Sequence, residues 1–131
     1  MATKTAYPFR VEPQEVDFSL RITLVALGGN ILNIAGIDAH TKGFGVDALN
    51  KDNFSWVLSR IAFEFDYRPE EYVKYEIATW ISDYGRMLST RNFELTDQTG
   101  VCFGRVVSQW CMLDLLSLIH ISEPTRLGMI S

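Results

Sequence analysis

From Leu20 to Ile34 apolar residues recur at 4-3-4-3 spacing (Leu20, Leu24, Leu27, Ile31, Ile34), the interval that lines one face of an α-helix. Ile22, Val25, Leu32 and Ile37 add apolar surface on other sides, so the helix is expected to be enclosed by the rest of the chain. Ser19 stands at the N-cap position, and Lys42 and Gly43 close the segment as a cation and a C-cap glycine. Gly28 and Gly29 interrupt it, at about 1 kcal/mol each relative to alanine. Either a sheet comes so close there that side chains are excluded, or the helix is locally irregular; the first is preferred. Ahead of the helix, Tyr7 to Asp17 reads as a first strand. Phe9, Val11 and later Val16 and Phe18 are its apolar positions, and Pro13 marks an edge or a bulge.

Beyond the helix the period changes. Val46 to Asn53 is a short connection with room for one helical turn, and Phe54 to Asp114 then reads as at least four consecutive strands. Ile61, Phe63 and Phe65 alternate with Arg60, Glu64 and Asp66, and Arg68-Pro69 turns the chain. Val73, Tyr75, Ile77 and Ile81 alternate with Tyr72, Lys74, Glu76 and Ser82, a half-buried strand. Asp83-Tyr84-Gly85 is a turn, Leu88 to Thr96 a further strand, and Val101 to Leu113 the last and longest. Asp97-Gln98-Thr99-Gly100 joins those two as a hairpin, with a glycine where positive φ is needed. One helix followed by an antiparallel meander predicts an α+β fold.

Composition narrows the class. A chain of 131 residues fits one domain with a real core, and 47% hydrophobic with 21% charged residues is an ordinary globular balance. Eight Phe, five Tyr and three Trp exclude intrinsic disorder. A net charge of −4 without any cluster of Lys and Arg excludes a nucleic-acid surface. The same charge does nothing to favour an acidic partner. No apolar run approaches the roughly 20 residues of a membrane helix, and the N-terminus lacks a signal peptide's hydrophobic region. A cytoplasmic location is expected. Cys102 and Cys111 share one strand; nine steps of about 3.3 Å set them roughly 30 Å apart, beyond disulfide reach.

Three phrases in the strand region are more specific: Ser55-Trp56-Val57-Leu58-Ser59-Arg60, the run from Gly85-Arg86 through Arg91 to Phe93, and Ser108-Gln109-Trp110-Cys111-Met112-Leu113. With Asn33-Ile34-Ala35-Gly36-Ile37-Asp38 and Gly43-Phe44-Gly45, they resemble the N-terminal half of acyl-acyl-carrier-protein (acyl-ACP) thioesterases over most of residues 7–115. Gly29 departs from that pattern, which has a larger residue there. The resemblance implies a hotdog fold, an antiparallel sheet wrapped around a long central helix. It implies a parent enzyme of fatty acid biosynthesis that hydrolyses fatty acyl-ACP to free fatty acid and ACP. The family's catalytic Asn, His and Cys or acidic residue belong to a second hotdog domain, in an Asn-x-His type motif. None occurs here, so no catalytic residue is carried over.

Residues 1–115 are therefore expected to be the N-terminal hotdog domain, shaping the acyl pocket without the catalytic half. Leu116 to Arg126 resembles a translated transposase adaptor from sequencing libraries, so 116–131 are expected not to be native and His120 to have no role.

A search independent of family agrees. His40 is the only histidine before that tail, and Asp38 two positions away does not share its helical face. His40 is expected as a surface or capping residue. Neither cysteine adjoins a basic residue that would activate it. There is no metal-ligand spacing, phosphate-binding glycine loop or Gly-x-Ser-x-Gly elbow, and no cofactor is expected.

What remains is binding. Met87, Ser89, Arg91, Phe93 and Leu95 share one strand face, and a buried arginine needs a partner. An ion pair with a sheet carboxylate is the plainer reading of Arg91; a polar group of substrate or of another domain is the functional one. Trp56, Trp80 and Trp110 read as core, or as lining of an acyl tunnel between helix and sheet. The candidate substrate-binding residues are Trp56, Ser89, Arg91 and Trp110.

Rival readings remain open. Tyr7-Pro8-Phe9 resembles a phrase of hotdog dehydratases, but Thr5 and Ala6 precede it where those enzymes carry a catalytic His. A single-domain acyl-CoA thioesterase acting as a homodimer would need Asp38 pointing into a cleft, whereas in a non-catalytic lipid-binding module Asp38 could face solvent. Loss of a partner domain would expose the interface it covered, so a homodimer is expected.

Overall fold

In the computed structural model, residues 4–41, 54–85 and 87–114 are described. Alternating positions form strands β1 (Thr5–Arg10), β2 (Phe54–Phe65), β3 (Lys74–Tyr84), β4 (Leu88–Asp97) and β5 (Cys102–Asp114), with one helix, α1 (Leu24–Thr41), among the described residues. The strands make one antiparallel sheet in the order β1-β3-β4-β5-β2. The α+β expectation holds. No described helix is long and apolar enough to cross a membrane.

The first strand is shorter than the pattern suggested. β1 pairs with β3 from Thr5↔Thr79 to Arg10↔Lys74, and the chain then leaves the sheet. Pro13 starts a 3-10 turn, Pro13–Glu15, in place of an edge or bulge, closed by Glu12 N–H donating to Glu15 Oε1 at 2.9 Å. Phe18 is no core residue; it is 99% exposed.

The helix begins at Leu24 and not behind Ser19. The Ser19 N–H donates to Asp17 Oδ1 at 2.9 Å, and Leu20 takes a left-handed φ of 61° in the turn that follows. Thr23 caps instead, its Oγ1 accepting the Ala26 N–H at 3.1 Å. Leu27, Ile31 and Ile34 hold the buried stripe, which Ala35 and Asp38 extend. The expected enclosure is not found, because the sheet covers only one side of α1: Val25 is 86% exposed, and Leu24, Leu32 and Ile37 are exposed too.

Neither explanation of the glycine pair holds. A Cβ on Gly28 would meet the Phe63 ring at an ordinary 3.9 Å, one on Gly29 would meet nothing, and α1 runs through both.

The core lies between α1 and the sheet, with Leu27, Ile31 and Ile34 against Tyr75, Ile77, Phe93, Leu95, Phe103 and Val106. Trp110 packs against this cluster from the side. Trp80 does not belong to it. Trp80 pairs with Asn92 on the outer face, where Lys4 Nζ stands 4.9 Å from the ring centre. The Asp97–Gly100 hairpin forms as expected: Gly100 has φ +90°, and Asp97 Oδ1 accepts the Thr99 and Val101 N–H groups at 2.9 and 3.1 Å. Both cysteines lie in β5 and are free, and His40 is exposed in the last turn of α1. Lys42, Gly43, Phe44, Gly45, the Val46–Asn53 connection, Arg86 and the tail 116–131 lie outside the described residues.

Candidate functional site

Asp38 continues the α1 stripe four residues after Ile34, so the helix carries a carboxylate into an otherwise apolar interface. That carboxylate is fully buried and must be paired. Arg91 of β4 donates from Nη1 to Asp38 Oδ2 at 2.7 Å and to Thr79 Oγ1 at 3.1 Å. The Tyr7 hydroxyl of β1 donates to Asp38 Oδ1 at 2.7 Å. Burial, and then this bond to Asp38, push the Tyr7 hydroxyl up to about 12. Arg91 thus forms an ion pair, but with the helix and not with a sheet carboxylate.

The polar network continues along the sheet face that meets the helix. Ser108 Oγ donates to the Arg91 carbonyl, and the Trp110 indole N–H donates to Ser108 Oγ, each at 2.9 Å. In the next cross-strand row Ser89 stands opposite Trp110, and Trp110 opposite Leu58. Ser89 is buried and its Oγ has no partner among the described residues. Trp56 opposes Met112, one step further along β5 on the same face. Ser89, Trp110 and Trp56 therefore fall together at one end of the sheet, with Arg91 beside them inside the ion pair.

A second feature lies at the opposite end of α1. A cavity of about 490 Å³ is lined by Leu24, Phe63, Phe65, Tyr67 and Arg68. Of its polar groups, Arg68 Nη1 donates to Asp17 Oδ2 at 2.8 Å and to the Ile22 carbonyl at 3.0 Å, and the Tyr67 hydroxyl bonds Asp97. What faces the space is mainly aromatic and aliphatic, with the Arg68 guanidinium among the lining groups. Such a wall suits a hydrocarbon chain, which asks for no hydrogen bonds along its length. Among the described residues no group of three or more His, Cys, Asp or Glu could hold a metal.

Sequence reasoning singled out Ser89, Arg91, Trp56 and Trp110 and missed Tyr7, Thr79 and Ser108 as partners in the network. One signal could have found the pairing: an acid on an apolar helical stripe and an arginine on an apolar strand face each need an opposite charge.

The family model for the acyl-ACP thioesterase N-terminal domain matches residues 2–117. The chain belongs to this family. The crystal structure of an acyl-ACP thioesterase from Bacteroides thetaiotaomicron is similar at 42% identity and a TM-score of 0.83, covering 86% of this chain and 46% of that one. The 12:0-ACP thioesterase from Umbellularia californica, 20% identical with a TM-score of 0.76 over 85% of this chain and 43% of its own, shares the fold. The oleoyl-acyl carrier protein thioesterase 2 of Arabidopsis thaliana, a chloroplastic protein, is 27% identical over 127 residues, 90% of this chain and 35% of that protein. This thioesterase domain has the hotdog fold. It spans about a third of the length of the curated relatives it matches.

Proposed function

We propose that this domain is the acyl-binding half of an enzyme that hydrolyses fatty acyl-ACP to free fatty acid and ACP in fatty acid biosynthesis. The observation that carries the proposal is the cavity of about 490 Å³ walled by Leu24, Phe63, Phe65, Tyr67 and Arg68. Burying an acyl chain there gains about 0.8 kcal/mol per methylene, so the cavity can hold a tail and rank chains by length.

In the reaction, water oxygen bonds to the acyl carbon as the carbon–sulfur bond breaks, and the thiol of the carrier's phosphopantetheine arm leaves. The group that activates that water belongs to a second hotdog domain, a partner of this one. Residues 1–115 make the acyl-binding domain, and 116–131 are not native to it. On this reading Trp56, Ser89 and Trp110 meet the substrate, the Ser89 hydroxyl, without a partner among the described residues, donating to one of its carbonyls. Arg91 acts from behind them, holding β4 to α1 through Asp38. The exposed apolar side of α1 supports docking of the second hotdog domain or, in its absence, of a second copy. A cytoplasmic location belongs to the same reading.

A single-domain acyl-CoA thioesterase is disfavoured by Asp38. Its carboxylate is sealed between Tyr7 and Arg91, where neither water nor a thioester reaches it.

The test is titration of the 131-residue chain with a fluorescent fatty acid, followed by displacement with unlabelled fatty acids. Saturable binding, weakened at least tenfold by Phe63→Asp at the half-open cavity wall, is expected. Absence of saturable binding overturns the proposal.

A further inference from the structure

Gly104 of β5 is buried on the sheet face that carries Val106 and Ser108, opposite Phe65 on one side and Leu95 on the other. Its backbone does not demand glycine, since Gly100 is the glycine with positive φ among the described residues. Its surroundings do. A Cβ on Gly104 would stand 2.7 Å from Cε1 of the Phe65 ring and closer still to Cδ1, while the nearest backbone atom, the Glu64 carbonyl oxygen, is at 3.6 Å. The obstacle is the ring alone. Phe65 therefore lies directly over the missing side chain, a glycine seat that a larger residue would remove.

The same ring is part of the cavity wall. If it is lifted off β5, its exits are limited. Phe63 sits beside it with ring centres 5.9 Å apart, and Tyr67, a fellow wall of the cavity, packs on the buried Phe103 at 5.1 Å. The free space that the ring itself borders is the cavity. Close packing elsewhere means that a side chain added at 104 is paid in cavity space.

We propose that Gly104 is a chain-length determinant: by seating the Phe65 ring against β5 it sets the depth available to the acyl tail. This rests on the reading of the cavity as the acyl site. Phe65 forms the adjustable wall and Gly104 fixes its position, so the two act as one specificity element reached from two strands. Substitutions at the pair move length preference in opposite directions.

The experiment is the affinity of the whole chain for a series of saturated fatty acids, from short to long, in wild type, Gly104→Ala, Phe65→Leu and the double variant. Gly104→Ala is expected to weaken the longest acids by about tenfold, the worth of roughly two methylenes left in water, and to spare the shortest. Phe65→Leu shifts preference towards longer acids, and the double variant returns towards wild type. Phe65→Leu, which leaves Gly104 intact, carries the test should Gly104→Ala fail to fold. A profile unchanged by Phe65→Leu, or moved towards shorter acids, overturns the inference while the cavity remains the acyl site. No binding of any acid by wild type overturns the reading of the cavity itself.

Discussion

Arg91 and Asp38, 53 positions apart in sequence, meet at 2.7 Å with both side chains at least 95% removed from solvent. The contact ties the last turns of α1 to the middle of the sheet. Removing either partner takes the counter-charge from the one left buried, at about 3–5 kcal/mol. Asp38→Asn and Arg91→Leu are each expected to lower the urea midpoint accordingly. Asp38→Leu with Arg91→Met, an apolar replacement of both, is expected to cost far less than the two single changes together.

Ser89 offers the opposite case. Its hydroxyl is buried with no partner among the described residues, so the fold gains nothing from it. Ser89→Ala is expected to leave stability unchanged or raise it by up to about 1 kcal/mol. If the hydroxyl meets a substrate carbonyl, the same change weakens acyl-ACP binding several-fold. Calorimetry of unfolding and of binding on one variant separates the two effects.

Gly29 lies mid-helix with nothing within 4 Å of an added Cβ. Gly29→Ala is expected to stabilise the domain by about 0.5–1 kcal/mol through helix propensity and a less free unfolded chain. A higher urea midpoint at unchanged slope is the check.

Tyr7, Tyr67 and Tyr75 are each pushed up from 10.0 to about 12, in every case chiefly by burial. A raised pKa in the folded state means that the native protein keeps a proton the unfolded chain releases. Their stabilisation is whole below pH 10 and is lost as pH climbs towards 12. Asp97 runs the other way: hydrogen bonds, first from Thr99 and then from Tyr67, hold it down at about 2 against 3.8. Its contribution is present above pH 4 and lost as pH falls towards 2. Thermal unfolding across pH should show both shoulders. Tyr7→Phe should shrink the alkaline one, and Thr99→Ala the acid one.

The sheet was readable in the sequence because its half-buried strands keep a period of two and their turns carry their own chemistry, as at Asp97–Gly100. Trp80, expected in the core or lining a tunnel, lies on the outer face. It has the parity of Lys74 and Glu76, which places it outside, and only at the Ile81/Asp83 bulge does that parity break. The helix start was misplaced because Asp17 claims the Ser19 N–H, a competition between two local turns that spacing does not rank. The Arg91 partner was misassigned because the register of a helix over a sheet is set by packing across long sequence separations. The candidate residues Ser89, Trp110 and Trp56 came from the strand phrases. The cavity did not, since Leu24 and Phe63–Arg68 converge only in the folded chain.

Hydrolysis of fatty acyl-ACP decides most directly, measured on the 131-residue chain alone and mixed with the part of the Bacteroides thetaiotaomicron acyl-ACP thioesterase that this chain does not cover. An acyl-binding half without its catalytic partner predicts no turnover alone and turnover in the mixture. Turnover by the chain alone would contradict it.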